Sequence, residues 1–323
     1  MPRPQYGRRV PGLPNYDDLP VRAGLPPGSS WGIWGDDDKF GCLNLLTPER
    51  VLAGMGTVRR GALFPLNLEL ELPDPPLYGR AALRHEVSSM GGSFHDDELH
   101  AFNTQSSSQW DGFRHVGHPG HGFYDGVADE EHGIHHWARR GIAGRAVLAD
   151  VARWREAEGR PIDAAGSDSI EPEDLHGTLA AQGATIEVGD ILLIRTGWLS
   201  WYRTLDRPAR EALAVGPMKA PGLRPGTATA RCLWDLHVAA VAADNPALEV
   251  WPPSMRSDPA ELHEGFVHFS LLPLLGMPIG ELWDLDALAA DCAADGQYAC
   301  FLTSAPLNLE RGVGTPPNAL AIK

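Results

Sequence analysis

Cysteine is scarce in this chain. Only Cys42, Cys232, Cys292 and Cys300 occur among 323 residues, and no two stand in a CxxC spacing. A zinc knuckle or a paired redox motif is therefore excluded, and the four read as reduced core residues. Long apolar runs are also missing: nothing approaches the roughly 20 residues of a membrane-spanning helix. The basic opening stretch MPRPQYGRRVPGLPNYDDLP has no apolar segment of the signal-peptide kind. Neither a leader nor an anchor is expected, and a cytoplasmic location is. Positive charge is in deficit, with a formal net charge of −15. Such a surface repels phosphate backbones and anionic lipid, so neither nucleic acid nor membrane is an expected partner. The glycine-rich phosphate loops GxGxxG and GxxxxGKS/T are absent, which argues against a nucleotide cofactor. A GxSxG elbow is absent too, so Ser106, Ser107 and Ser108 do not make a serine hydrolase with the nearby His115.

What is present is an ordinary globular composition, 43% hydrophobic and 21% charged, in a chain long enough to bury a large core. Residues 1–30, rich in proline and glycine, read as an extended arm over the surface or over a neighbouring subunit. Residues 31–323 read as one catalytic domain. Thr47 and Pro48 open a helix, and the alternation in GALFPLNLELEL predicts a half-buried strand over 61–72. Buried strands are expected at GRAVLADV (144–151), at ILLI within 187–198, at VAAVAA (238–243) and at YACFLTS (298–304). Helices fall between them, over 171–182, 222–236 and about 286–294. Alternation of this kind implies an α/β fold: a single mixed β-sheet core with flanking helices.

The chemistry concentrates in NTQSSSQWDGFRHVGHPGHGFYDG, residues 103–126. On an extended strand, positions 105, 107, 109 and 111 project to one side. Gln105, Gln109 and Asp111 would then face one cavity with an oxygen-rich donor set suited to a hard divalent cation. His115, four residues after Asp111, has the imidazole suited to general base catalysis near neutral pH. His118 and His121 follow at intervals of three, but Gly117, Pro119 and Gly120 forbid a helix that would align them. Downstream, His268 and Glu281 flank a GMPIG turn and bring a second imidazole–carboxylate pair. Asp244 and Asn245 stand just past a buried strand, where sites often form. Trp34, Trp110 and Tyr124 offer aromatic walls for a small ring substrate, and Arg114 either orients a carboxylate or pairs with Asp125.

These residues resemble the metal-dependent cyclase-like hydrolases that include kynurenine formamidase and isatin hydrolase. That family carries a signature of the form HxGTHxDxPxH, which falls on Gln105 to His115. Asp111 and His115 match it, and both ligand histidines are glutamine. The segments GRAVLADV, GDILLIRTGW, ADNPALE and APLNLERGVGTPPNALAI are similar to family segments as well, over roughly residues 35–320. The resemblance implies a swivelling β/β/α fold and a homodimer or higher homo-oligomer. It also implies a divalent metal held by Gln105, Gln109, Asp111, His268 and Glu281, with His115 as base. Amide oxygens in place of imidazoles shift the preference from zinc toward manganese or magnesium, or toward no metal. Three functions stay open: a metal-assisted hydrolase opening an amide, lactam or lactone of a small cyclic or aromatic substrate; a cyclase or dehydratase of secondary metabolism using the same site; and a non-catalytic binding protein with an eroded metal centre.

Overall fold

The computed structural model describes residues 12–254, 258 and 261–323. In chain order the strands are β1 (Leu63–Pro65), β2 (Arg84–Met90), β3 (Phe94–His100), β4 (Gln109–Asp111), β5 (Ile142–Asp150), β6 (Ser169–Ile170), β7 (Ile191–Arg195), β8 (Gly222–Leu223), β9 (Ala240–Ala243), β10 (Ile279–Glu281), β11 (Ala299–Ser304), β12 (Gly314–Thr315) and β13 (Ala319–Ile322). Nine of them form one mixed sheet in the order β1-β13-β11-β5-β7-β9-β10-β4-β12.

Its centre is the parallel run β5-β7-β9-β10, with Ala146 opposite Ile191 and Ile191 opposite Ala240. Strands covered on both faces cannot alternate apolar with polar residues. Accordingly Ile191 to Ile194 and Ala240 to Ala243 are buried without interruption. Helix Pro48–Met55 packs on β5 and β11, and helix Pro172–Ala181 also lies against β5. The sheet then turns antiparallel toward its far edge, where β10 pairs with β4 and β4 with β12. Gly280 lies opposite Trp110 in that pairing, and a Cβ there would come within 2.5 Å of the Ala242 methyl and 2.7 Å of the Trp283 ring. Glycine is what lets β10 approach so closely.

The four long strands expected from the sequence are present. The strand expected over 61–72 is shorter, because only Leu63–Pro65 pairs, with β13. Beyond it the chain is tied by single bonds instead: Leu66 N to the Ala319 carbonyl at 3.0 Å, and Leu68 N to Ser108 Oγ at 2.8 Å. The described part of the N-terminal arm lies on its own chain. Trp234 Nε1 donates to the Pro14 carbonyl at 3.0 Å, Tyr16 N donates to Asp235 at 2.7 Å, and Ser30 N to the Leu274 carbonyl at 2.9 Å. Residues 1–11 of the arm fall outside the described residues. Among those described, no helix is long and apolar enough to cross a membrane.

One buried acid has a consequence for stability. Asp190 is fully buried beside Arg145 and accepts from Glu187 N at 2.7 Å. Burial pushes its carboxyl up to about 7, with Arg145 opposing. The folded chain therefore holds this proton more tightly than the unfolded chain does. Its contribution is complete below the ordinary carboxyl range and is lost as pH rises through about 7. Thermal melts across pH 5–8 should fall in the wild type, and Asp190→Asn should flatten that fall.

Candidate active site

The site forms where β4 and β10 lie side by side. Register places Gln109 opposite Glu281, so their side chains meet on one face of the sheet, and Gln109 Nε2 donates to Glu281 Oε2 at 2.5 Å. Asp111, two residues on, shares that face. Trp110, between them, points the other way into the core, edge-on to Trp283 with ring centres 4.7 Å apart. Gln105 does not ride the same strand, since residues 105–108 form a bend. Ser107 and Ser108 pin that bend to the carbonyls of Glu69, at 2.9 Å, and Leu282, at 2.5 Å. From there Gln105 reaches back to place Nε2 2.5 Å from Asp111 Oδ1 and 3.0 Å from His115 Nδ1.

His268 enters from the short helix His268–Leu271 and is buried. Its Nε2 lies 3.3 Å from Glu281 Oε1 and 3.7 Å from Asp111 Oδ2. Its Nδ1 is held by Glu249, whose two oxygens lie at 2.9 and 3.0 Å. Phe266 stacks on the ring at 4.3 Å with the planes 3° apart. Carboxylate on one nitrogen and aromatic ring on one face leave Nε2 as the working atom.

Three buried carboxylates, Asp111, Glu249 and Glu281, thus surround one imidazole. Burial alone would drive the proton off His268, but the Glu249 charge and the nearby carboxylates of Asp111 and Glu281 raise it well above the ordinary histidine value. Glu281 is pushed up to about 7, by burial and then by the Asp111 charge. Asp111 is also disfavoured as an anion by burial, yet the imidazoles of His115 and His268 outweigh that and lower it. His115 is lowered, mainly by burial and against the pull of Asp111.

A cation fits these donors. Asp111 Oδ2 and Gln109 Oε1 are buried with no hydrogen-bond partner among the described residues. One ligand-type atom each from Asp111, His115 and His268 lies within 4.8 Å of the others. Gln105 and Gln109 both turn the amide nitrogen, not the oxygen, toward the site, Gln105 to Asp111 and His115 and Gln109 to Glu281 and Asp111, so both serve here as donors to the ligand residues rather than as ligands.

The other residues expected at the site make the following contacts. Trp34 packs edge-on against Trp234 at 6.3 Å. Tyr124 is buried against Phe113 and donates to Asp38 at 3.3 Å. Arg114 does not pair with Asp125; it bonds Asp129 and the Arg311 carbonyl. Asp125 instead accepts from Gly32 N and Asp38 N, each at 2.9 Å. Asp244 accepts from Thr196 N at 2.6 Å and Gly197 N at 2.9 Å, closing the turn after β7, and Asn245 bonds the Pro221 carbonyl at 2.7 Å. Both are buried and committed to the backbone.

Glu249, Arg80 and Tyr78 were not singled out in the sequence. Glu249 closes the segment ADNPALE, whose family likeness was the available signal. Arg80 donates to the Gln105 carbonyl and lies over the Tyr78 ring at 5.1 Å. Its charge is felt at both His115 and Glu281. Neither Arg80 nor Tyr78 belongs to any motif that would have marked it.

Residues 55–250 match the Cyclase family model. A crystal structure described as a novel cyclase is 34% identical with a TM-score of 0.78, and the match covers 91% of this chain and 99% of that one. The chain belongs to the cyclase family. Two isatin hydrolases share the cyclase fold at lower identity. Isatin hydrolase A from Labrenzia aggregata, solved with benzyl benzoate, is 18% identical with a TM-score of 0.57, over 84% of this chain and 97% of its own. Isatin hydrolase A from Ralstonia solanacearum is 16% identical with a TM-score of 0.56, over 86% and 98%. No curated protein matches the chain.

Proposed function

We propose that this cyclase-family chain is a metal-assisted hydrolase that opens an amide, lactam or lactone bond in a small cyclic or aromatic substrate. The observation that carries this reading is the convergence of Asp111, His115 and His268 on one point, with the buried Asp111 Oδ2 unpartnered among the described residues. Asp111, His268 and Glu281 would hold the ion. Such an ion, manganese being favoured by the oxygen-rich set, polarises a carbonyl and acidifies water.

The remaining work falls to the chain's own groups. His115 is kept neutral by burial, so it is ready to accept a proton. Its Nε2 faces the Asp111 carboxylate at 3.9 Å, and there it would take the proton of an attacking water. Arg80, whose guanidinium bonds the Gln105 carbonyl, would face the negative charge of the carboxylate that hydrolysis produces. Tyr78 and Trp251, edge-on at 4.9 Å, form an aromatic wall beside it. The fold shared with the isatin hydrolases supports a ring-opening substrate class.

The test is a panel of aryl formamides, cyclic imides, lactams and lactones incubated with metal-loaded protein, with products read by mass spectrometry. Gain of one water supports hydrolysis. Loss of water or an unchanged mass in a new product points to the dehydratase or cyclase reading, and no turnover points to a binding protein. His115→Ala should cut kcat by about 10²–10⁴-fold with metal content unchanged. Full activity in that variant would remove His115 as the base.

A further inference from the structure

Lys323 is charged and yet buried. It follows β13, where its backbone N donates to the Ala62 carbonyl at 3.0 Å, and its side chain turns inward until only 1% of it is exposed. A lysine lies that deep only when its ammonium is well paired. Its Nζ is 2.8 Å from Asp291 Oδ2 and 2.8 Å from Asp295 Oδ1, which leaves one N–H for Cys292 Sγ, 3.5 Å away. All three partners stand on the helix Asp286–Asp295. The proposed hydrolysis uses none of these groups.

The cluster is both fixed and close to solvent. Arg60 holds the two carboxylates from outside, its guanidinium 2.5 Å from Asp291 and 3.0 Å from Asp295. Their side chains are 22% and 33% exposed, so water, and a peroxide of similar size, reaches the rim. Among the described residues no other cysteine has a lysine amine within bonding distance. Burial would drive the proton off Lys323, but the bonds to Asp291 and Asp295 outweigh it. Burial pushes the Cys292 thiol up to about 11, with Lys323 opposing. The thiolate fraction at neutral pH is small, so the sulfur reacts only with a small oxidant, and faster as pH rises.

We propose that Cys292 and Lys323 form an oxidative modification site, at which hydrogen peroxide joins them by a sulfur–nitrogen bond. The Cys292 sulfur attacks one peroxide oxygen and the O–O bond breaks; the other oxygen leaves as water with the thiol proton, giving the sulfenic acid. Lys323 Nζ then attacks that sulfur and the S–O bond breaks. The departing hydroxide takes one ammonium proton and leaves as water, while a second proton passes to Asp291 or Asp295. Sulfur has lost two electrons to the peroxide, and the product is a sulfenamide. The N–H that faces Sγ gives up its proton, so the lone pair it leaves is aimed at the sulfur. The link ties the end of β13 to the helix behind it and closes a loop that the unfolded chain must carry.

The full chain treated with hydrogen peroxide, digested and read by mass spectrometry should yield a peptide joining Cys292 to Lys323, lighter by two hydrogens than its parts. A thiol reductant should release it, and the linked chain should melt at higher temperature. Urea-unfolded chain given the same peroxide should not form it, because the fold supplies the pairing. In Lys323→Arg, which keeps a cation between the aspartates, Cys292 should run on to the sulfinic acid. The proposal is overturned by a wild-type Cys292 that ends as the sulfinic acid, as a disulfide with Cys300, or as a free thiol once Met55, 54% exposed, is oxidised. Equal linking in the unfolded chain overturns it too. These wild-type readings decide even where the variant misfolds.

Discussion

Asp111→Ala should destabilise the cation-free protein by about 3–5 kcal/mol and abolish any rise in melting temperature on adding manganese. Asp111 is fully buried, and its Oδ1 accepts from Gln105 at 2.5 Å and from Gln109 at 3.4 Å. Its charge is also one of the three that keep His268 protonated. Alanine strips all of these at once, leaving amide hydrogens and an imidazolium without their acceptor. Relief of Glu281, whose carboxyl Asp111 pushes up, offsets only part of the loss. Asp111→Asn is the control, because it keeps volume and hydrogen-bonding capacity but not the charge. It should recover much of the stability, measured by urea unfolding, and none of the manganese response.

The second large effect lies at Glu249, which never touches the proposed ion. It grips His268 Nδ1 through both oxygens and accepts from the His268 backbone N at 3.4 Å. Glu249→Gln preserves the shape and removes the charge, so the imidazole loses both its orientation and part of its basicity. Metal affinity by calorimetry should drop about 10–100-fold with little change in fold. Glu249→Ala should add a loss of stability, since it leaves a buried donor unpaired. Equal metal affinity in Glu249→Gln and wild type would show that Phe266 stacking alone orients the ring.

The sheet was legible because its parallel strands are buried on both faces and therefore appear as unbroken apolar runs such as ILLI and VAAVAA. The 61–72 stretch alternates just as well, yet beyond Pro65 its backbone is taken by isolated bonds to Ser108 and Ala319 rather than by a ladder. Alternation reports which face is buried and not what the backbone pairs with. At the site, Asp111, His115, His268 and Glu281 were visible as chemistry-bearing residues, and the fold brings all four together. Gln109 was placed by its strand register, whereas Gln105 reaches the same point from a bend that period-two reasoning does not foresee. Trp34 was marked by the aromatic segment 31–46, and Tyr124 and Arg114 by their place in 103–126. Their partners, Trp234, Asp38 and Asp129, are contacts that only the tertiary structure supplies. Glu249 was hidden for the opposite reason: it is one acid among 42 acidic residues in the chain, and nothing local marks it as the partner of His268.

The most direct measurement is elemental analysis of the full chain after dialysis against equimolar manganese, zinc and magnesium, run beside Asp111→Ala. At least one divalent ion should be retained per wild-type chain and none in the variant. A wild-type chain that retains no ion, or a variant that retains as much as wild type, would contradict cation binding at Asp111.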